Sequence, residues 1–139
     1  MPMTESDLLQ LLESAESVVI GSLDPEGFPN CKAMLPPRKR VGLKELYFTT
    51  NTSSTRVAQY RERPQACVYF FSQTRFEGLM IVGQTEVLTD QATKDEIWRP
   101  GDDLYYPLGV IDPDYCVLKF TGMRIRTYHS FQKDDIVLS

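Results

Sequence analysis

The chain has 139 residues, 42% of them hydrophobic and 11% aromatic, which is enough for one globular domain with a buried core. Fifteen basic and nineteen acidic residues give a net charge of -4, which argues against a broad nucleic-acid-binding surface. No stretch approaches the roughly 20 apolar residues of a membrane span, and no signal peptide precedes the first predicted helix, so we expect a single-domain cytoplasmic protein over residues 1–139.

The N-terminal segment predicts an amphipathic helix. Thr4 and Asp7 are spaced as in a capping box, and apolar residues then recur at helical spacing: Leu8, Leu11, Leu12 and Ala15. We expect a helix from about Thr4 to Ser14 that packs across one opening of a barrel.

A β-hairpin is predicted next. The β-rich run from Ser17 to Leu23 is followed by Asp24-Pro25-Glu26-Gly27, which has the residues of a type I turn, and then by a second strand from Phe28 to Leu35. The basic cluster Arg38-Lys39-Arg40 comes after Pro36-Pro37, where we expect a solvated loop between strands.

A third strand, Lys44 to Thr50, runs into the hydroxyl-rich turn Asn51-Thr52-Ser53-Ser54-Thr55, and a short helix carrying Arg56 in its first turn follows. This composition suits a phosphate site, because a helix N-terminus presents unpaired N–H groups and positive potential. Ser and Thr are also common N-caps that serve only the helix. From these residues alone the ordinary cap is the favoured interpretation.

Two long apolar strands follow, Gln65 to Ser72 and Arg75 to Leu88, the second being the longest strand candidate. The runs Ala66 to Phe71 and Leu79 to Val82 offer more continuous apolar surface than one small barrel interior can take up. We therefore expect a large apolar interface in a homodimer.

The C-terminal third predicts a short helix between Thr89 and Trp98, a long loop from Arg99 to Asp114, and a final hairpin. The hairpin would join Val117 to Phe120 with Met123 to Tyr128 around Thr121-Gly122. With six to seven strands in meander order and a few short helices, the fold class is mainly β, a six- to seven-stranded antiparallel split β-barrel.

Metal and acid–base candidates are weak. Cys31, Cys67 and Cys116 are widely spaced and fit reduced core thiols, and His129 is the single histidine, so we expect no zinc site of the usual kind. His129 lies in the polar tail Tyr128-His129-Ser130, which makes it a poor candidate for a general base.

At this point the chain resembles the pyridoxamine 5′-phosphate oxidase-like, FMN-binding split-barrel superfamily, and especially its short general stress protein subgroup. The resemblance covers nearly the whole chain. It depends on the order and spacing of several segments: Gly27-Phe28-Pro29 leading into Lys32-Ala33-Met34-Leu35, Phe48 to Gln59, Gly78 to Glu86, Tyr105-Tyr106-Pro107-Leu108-Gly109, and Asp112-Pro113-Asp114-Tyr115.

The resemblance implies a homodimer that binds two FMN molecules in clefts shared by both subunits, and it makes the phosphate interpretation of the helix start the favoured one. Thr55 and Arg56 match the basic pair that holds the FMN phosphate in the oxidases, although Thr55 lacks the charge. Ser54 matches the hydroxyl residue of that turn. Thr49 and Thr50 match the strand end that lines the flavin.

The same resemblance assigns a flavin-contacting strand. Lys32 matches a basic position that would supply positive charge near flavin N1, and Ala33, Met34 and Leu35 would lie along the isoalloxazine. Alternatively, Lys32 is a solvent-facing strand residue, and Met34 and Leu35 are plain core.

The loop from Arg99 to Tyr115 is predicted to border the reactive face of the flavin, on the substrate side, through Tyr105 and Tyr106. The alternative is that its tyrosines pack the loop onto the barrel.

The chain also departs from the vitamin-forming oxidases. Pro37 stands where they have a basic residue for the substrate phosphate, Gly78 stands where they have an amide that contacts FMN, and the aromatic and arginine segment at their C-terminus is missing. A true pyridoxamine 5′-phosphate oxidase is therefore not expected.

Two classes of function stay open. The leading hypothesis is an FMN-dependent oxidoreductase acting on a small molecule that the sequence does not identify. The alternatives are a non-catalytic flavin-binding stress protein or sensor, and a relative that binds haem or a deazaflavin, although haem lacks an evident axial ligand here.

Overall fold

The computed structural model describes residues 2–138, which form three α-helices and eight strands. The helices are α1 Glu5–Ser14, α2 Thr55–Glu62 and α3 Gln91–Ile97. The strands are β1 Ser17–Leu23, β2 Pro29–Ala33, β3 Lys39–Val41, β4 Glu45–Asn51, β5 Gln65–Ser72, β6 Glu77–Leu88, β7 Tyr115–His129 and β8 Gln132–Val137. Two short 3-10 helices, Asp102–Leu104 and Gly109–Ile111, lie in the loop after α3. None of the three described helices is long and apolar enough to cross a membrane.

All eight strands belong to one antiparallel sheet, in the order β2-β1-β5-β6-β7-β4-β3, with β8 paired to β7. The predicted class, mainly β and antiparallel, is confirmed. The predicted count of six to seven strands was low, because the three-residue β3 and the polar β8 carry little apolar signal.

The main core lies on one face of the sheet, and a smaller buried cluster of Ile97, Tyr106, Tyr115 and Val117 packs on the other face of β7. Alternate residues of the central strands are almost fully buried, and the larger of them are Ile20, Phe48, Phe70, Leu79, Ile81 and Phe120. The helix α1 closes one side with Leu8, Leu11 and Leu12, and the predicted capping box is present, with reciprocal bonds between Thr4 and Asp7. The other face of β5 and β6 carries Cys67, Tyr69, Met80 and Val82, which are partly exposed.

The predicted hairpin at Thr121-Gly122 is wrong, because β7 continues through this point for 15 residues and is longer than β6. Gly122 lies opposite Gly83 at a β-bulge rather than in a turn. A Cβ at Gly83 would lie 2.0 Å from the Thr121 carbonyl oxygen, so the glycine permits a close approach of two strands.

The last hairpin instead turns at Ser130-Phe131, both with positive φ, as in a two-residue type I′ turn. Neither Ser nor Phe is among the residues usually found in type I′ turns, so the sequence did not predict a turn at this position.

The basic cluster Arg38-Lys39-Arg40 is also not a solvated loop. Lys39 and Arg40 lie in β3 and form ion pairs with Glu96 and Glu13. The Arg38 guanidinium makes two bonds to the Asp102 carboxylate, of 2.8 and 2.7 Å, and both side chains are at most 10% exposed. This cluster therefore holds neighbouring segments together.

The three thiols are free, but only Cys116 is a core residue. Burial raises the pKa of the Cys116 thiol. Cys31 is exposed on β2 and Cys67 is half-buried on the outer face of β5, which corrects the expectation that all three are core.

Candidate functional site

The turn between β4 and α2 brings most of the predicted phosphate residues together. Phe48 and Thr50 are buried and fix the end of β4. Ser54 is the N-cap of α2, and its Oγ accepts the N–H of Val57 at 3.3 Å. The interpretation as a helix cap is confirmed. The helix ends at Glu62, just before Pro64.

The Arg56 guanidinium lies against the end of β4, but not all of its hydrogen-bond donors have partners there. One terminal nitrogen of its guanidinium donates to Thr50 Oγ1 at 3.0 Å. Its Nε is buried with no hydrogen-bond partner, whereas the buried Thr52 hydroxyl in the adjoining turn lies against the Cys116 thiol. Because a buried charged donor without a partner is costly, Arg56 Nε indicates a place where an anionic ligand would be stabilised.

The helix geometry supplies further donors. The first N–H groups of an α-helix have no partner within the helix. In α2 the cap takes the Val57 amide, which leaves those of Thr55 and Arg56 facing the turn. Thr55 itself is exposed, and Thr49 is half-buried.

An acidic residue that the sequence analysis named only within the Asp112–Tyr115 segment, without assigning it to the site, also occupies this turn. Asp114 accepts from Asn51 Nδ2 and from the Ser53 amide, each at 2.8 Å, and its carbonyl oxygen accepts the Thr52 amide at 2.7 Å. The bonds from Asn51 and Ser53 hold the pKa of Asp114 below its usual value. Asp114 lies some 60 residues from the turn in sequence, so no local pattern could have found it.

The predicted flavin-contacting run lies on β2 and just beyond it. Lys32, Ala33 and Leu35 are exposed, whereas Met34 is half-buried, packs against the core and donates its N–H to Val18. Lys32 pairs with Ile20 and Ala33 with Val19, so their side chains point to opposite faces. Both cannot lie on the same side of one flat ring.

The backbone of β2 suits a ligand better than its side chains do. Within the described sheet β2 pairs only with β1, so its other edge presents free N–H and C=O groups. Such groups match the hydrogen-bonding edge of a heterocycle.

The two halves of the predicted site are connected through the segment that joins β2 to β3. Arg38 donates its N–H to the Tyr47 carbonyl at 2.7 Å, and Tyr47 lies two residues before Thr49. Leu35 is three residues from Arg38, a span of at most about 11 Å. Leu35 is thus linked to β4 through the short segment that ends at Arg38, although β2 and β4 are not neighbours in the sheet.

The loop after α3 is fixed onto this segment. Asp102 accepts the Arg38 guanidinium and also the Arg99 amide at 2.9 Å, and Arg99 donates to the Arg38 carbonyl at 2.6 Å. The guanidinium of Arg38 lowers the pKa of the Asp102 carboxyl. The buried Lys94 donates to the Asp112 carbonyl at 2.9 Å and ties the far end of the loop.

The two tyrosines predicted on the substrate side have different environments. Tyr106 is 4% exposed and packs with Trp98 and Tyr115, and burial raises its pKa to about 12. Tyr105 is 60% exposed. Only the Tyr105 ring is therefore available to a ligand without rearrangement of the loop. The neighbouring apolar side chains Leu104, Leu108 and Ile111 are at least 66% exposed as well.

A cleft of about 700 Å³ lies elsewhere. It is on the outer face of the sheet and is lined by Gly21, Cys67, Val82, Arg124 and neighbouring residues. None of the predicted cofactor residues lines it.

Comparison with known proteins identifies relatives over the whole chain. A profile described as pyridoxamine 5′-phosphate oxidase matches residues 4–129. A Clostridium acetobutylicum protein related to general stress protein 26 of B. subtilis, of the pyridoxinephosphate oxidase family, is 37% identical with a TM-score of 0.86, and the match covers 98% of this chain and 97% of that one.

Two more distant structures share the fold. General stress protein 26 from Bacillus anthracis has 15% identity and a TM-score of 0.77, with 96% of this chain and 98% of that chain covered. A Nostoc punctiforme protein described as pyridoxamine 5′-phosphate oxidase-related and FMN binding has 15% identity and a TM-score of 0.66, with full coverage, 100% of each chain. No curated protein matches the sequence.

Proposed function

Because the chain belongs to the pyridoxamine 5′-phosphate oxidase family, in the group similar to general stress protein 26, we propose that it is a dimeric FMN-binding protein and an oxidoreductase. The Nostoc punctiforme relative, described as FMN binding, supports the choice of cofactor. We place the phosphate at the start of α2 and the isoalloxazine along the edge of β2. When bound, FMN supplies the electron transfer.

The observation that carries this proposal is the buried Nε of Arg56, which has no hydrogen-bond partner beside the β4–α2 turn. Arg56 Nε is a donor with a permanent positive charge, and the Thr52 hydroxyl both donates and accepts. Their position beside a helix N-terminus matches what a phosphate requires, namely N–H donors, hydroxyl groups and one cation. Ser54 can still donate its hydroxyl proton while it caps the helix.

The ring position follows from the edge of β2. Its free backbone groups would bind the polar edge of the isoalloxazine, and Lys32 at the exposed edge would place a positive charge nearby. Met34 has the role of supporting core, since its side chain packs inward.

A second subunit would complete the site. Lys32, Ala33 and Leu35 are exposed on and just beyond β2, and the loop after α3 exposes Leu104, Tyr105, Leu108 and Ile111. Apolar loop side chains of this kind are suited to cover a flat ligand or to contact a partner. We therefore assign the open side of the flavin to the partner subunit of a homodimer.

The proposed reaction is electron exchange between the flavin and a small molecule other than pyridoxamine 5′-phosphate. Pro37 and Gly78 replace residues that the vitamin-forming oxidases use, so pyridoxamine 5′-phosphate is a poor candidate substrate. Flavin chemistry does not require an acid–base side chain from the protein. The substrate is therefore expected to be a small molecule that exchanges electrons with the flavin directly.

The test is a binding titration of the purified protein with FMN, riboflavin and haem, followed by absorbance and fluorescence. We expect FMN to bind more tightly than riboflavin and to give paired bands in the near-ultraviolet and blue. A single Soret band with haem and no flavin binding would contradict the proposal. Oxidation of NAD(P)H by the FMN-loaded protein, with and without small electron acceptors, would then separate a catalyst from a carrier or sensor.

A further inference from the structure

Asp114 places a negative charge in the turn to which the proposed function assigns the FMN phosphate. Both oxygens of its carboxylate are used there, one by Asn51 Nδ2 and the other by the Ser53 amide. A helix N-terminus stabilises an anion, and in this chain the protein provides one of its own.

The carboxylate is fixed in this position by the sheet. The amide of Asp114 donates to Asp112 Oδ1 at 2.9 Å, and the next residue, Tyr115, is fully buried at the start of β7. Tyr115 is also the register partner of Asn51 in the β4–β7 pair. The backbone at Asp114 therefore cannot move away from the turn without loss of sheet pairing.

No cation neutralises this charge among the described residues. None of the ion pairs of residues 2–138 includes Asp114, and Arg56 bonds to Thr50 instead. A phosphate that binds beside the turn would meet an unpaired like charge at short range.

We propose that Asp114 is a specificity-determining residue of this turn, which weakens the binding of a dianionic phosphate and leaves the binding of an uncharged flavin unchanged. The inference rests on the proposed function, since it concerns the same site. Arg56 and Asp114 then act in opposite directions, and the preference for FMN over riboflavin is smaller than Arg56 alone would produce.

The test is Asp114→Asn, which removes the charge and keeps the shape and the oxygen that accepts the Ser53 amide. The Asn51 side-chain amide must flip so that its oxygen accepts the new NH2 group. We expect FMN to bind about three- to tenfold more tightly to this variant, as removal of a nearby like charge predicts, with riboflavin unchanged. Asp95→Asn is the matched control, because Asp95 lies exposed on α3, outside the proposed site, and carries the same charge. It should leave both affinities unchanged.

The outcomes are separable. If Asp114→Asn left FMN affinity unchanged or weakened both flavins alike, the residue would only position the turn and the inference would be overturned. An equal gain in Asp95→Asn would assign the effect to net charge and overturn it too. If the Asn variant does not fold, the same two affinities are measured for Asp114→Ser, whose hydroxyl also accepts a hydrogen bond. Tighter FMN binding with unchanged riboflavin binding is again the expected result. Failure of the wild-type protein to bind either flavin would instead contradict the proposed function.

Discussion

Arg56 is the residue on which the phosphate assignment most directly depends. Its guanidinium is positioned by Thr50 and retains an unpartnered Nε. Arg56→Ala removes a charge-assisted contact, which should cost on the order of 1.5–3 kcal/mol of FMN binding, or about tenfold or more in Kd. Riboflavin affinity should not change. Fluorescence titration with both flavins measures the difference.

Arg61→Ala is the control for this substitution, because Arg61 lies exposed on the same helix and carries the same charge. Equal weakening of FMN and riboflavin by Arg56→Ala would mean that Arg56 supports the fold, and the phosphate would then have to bind elsewhere.

The buried pair of Arg38 and Asp102 gives a prediction about stability. Asp102→Asn leaves the Arg38 guanidinium buried without its anion, and breaking such a pair costs about 3–5 kcal/mol. Urea denaturation at neutral pH should show this loss. The exposed pair of Lys39 and Glu96 is the control, since Glu96→Gln should cost about 1 kcal/mol or less.

The pH dependence of this effect has a definite sign. Arg38 lowers the pKa of Asp102 in the folded chain, so the pair stabilises the protein above the unfolded pKa of about 3.9 and is lost as the pH falls below it. The difference in unfolding free energy between wild type and Asp102→Asn should therefore shrink between pH 5 and pH 2. A difference that stays constant over this range would exclude the ion pair as its cause.

At the level of elements, the bulge between β6 and β7 can be tested at Gly83. A Cβ there would lie 2.0 Å from the Thr121 carbonyl oxygen, and backbone must shift to accommodate it. We expect Gly83→Ala to lower the free energy of unfolding by about 1–3 kcal/mol or more. Gln84→Ala, at the neighbouring exposed position, should change the free energy of unfolding by about 0.5 kcal/mol at most. Equal changes in the two variants would show that the space between β6 and β7 at Gly83 is large enough for a methyl group.

The two tyrosines of the loop after α3 have different expected roles: Tyr106 packs the loop onto the protein, and Tyr105 contacts the bound flavin. Tyr106→Ala removes a buried ring and should destabilise the protein by about 3–5 kcal/mol. Tyr105→Ala should leave stability nearly unchanged and alter the fluorescence or redox behaviour of bound flavin. Flavin properties identical to wild type in Tyr105→Ala would remove the loop from the site.

For the whole molecule, the prediction is a stable homodimer at micromolar concentration. The outer face of β5 and β6 carries Tyr69, Met80 and Val82 beside the large apolar cleft. Val82→Glu should place a charge on this face and shift the protein to monomer in sedimentation experiments, with circular dichroism to verify folding. A wild-type monomer, or a dimer unaffected by Val82→Glu, would contradict the assigned interface.

The sequence by itself determined the elements whose information is local. The capped helix at Thr4, the strands β1 and β5, and the Ser54 cap were predicted within a residue or two, because periodicity, capping residues and Pro64 act over a few positions. The family was identified for a related reason, since the order of such local segments is characteristic.

Tertiary structure alone decided what depends on distant residues. Gly122 marks a close approach to Gly83 rather than a turn, Arg38 is buried because Asp102 reaches it, and Tyr106 and Tyr105 differ only in what packs against them. Asp114 reaches the phosphate turn because β4 and β7 pair in register. The relations of Gly122 and Asp114 arise from pairing between strands distant in the sequence, and Arg38 meets Asp102 through a side-chain ion pair across 64 residues. A single sequence carries no periodic or capping signal over such separations.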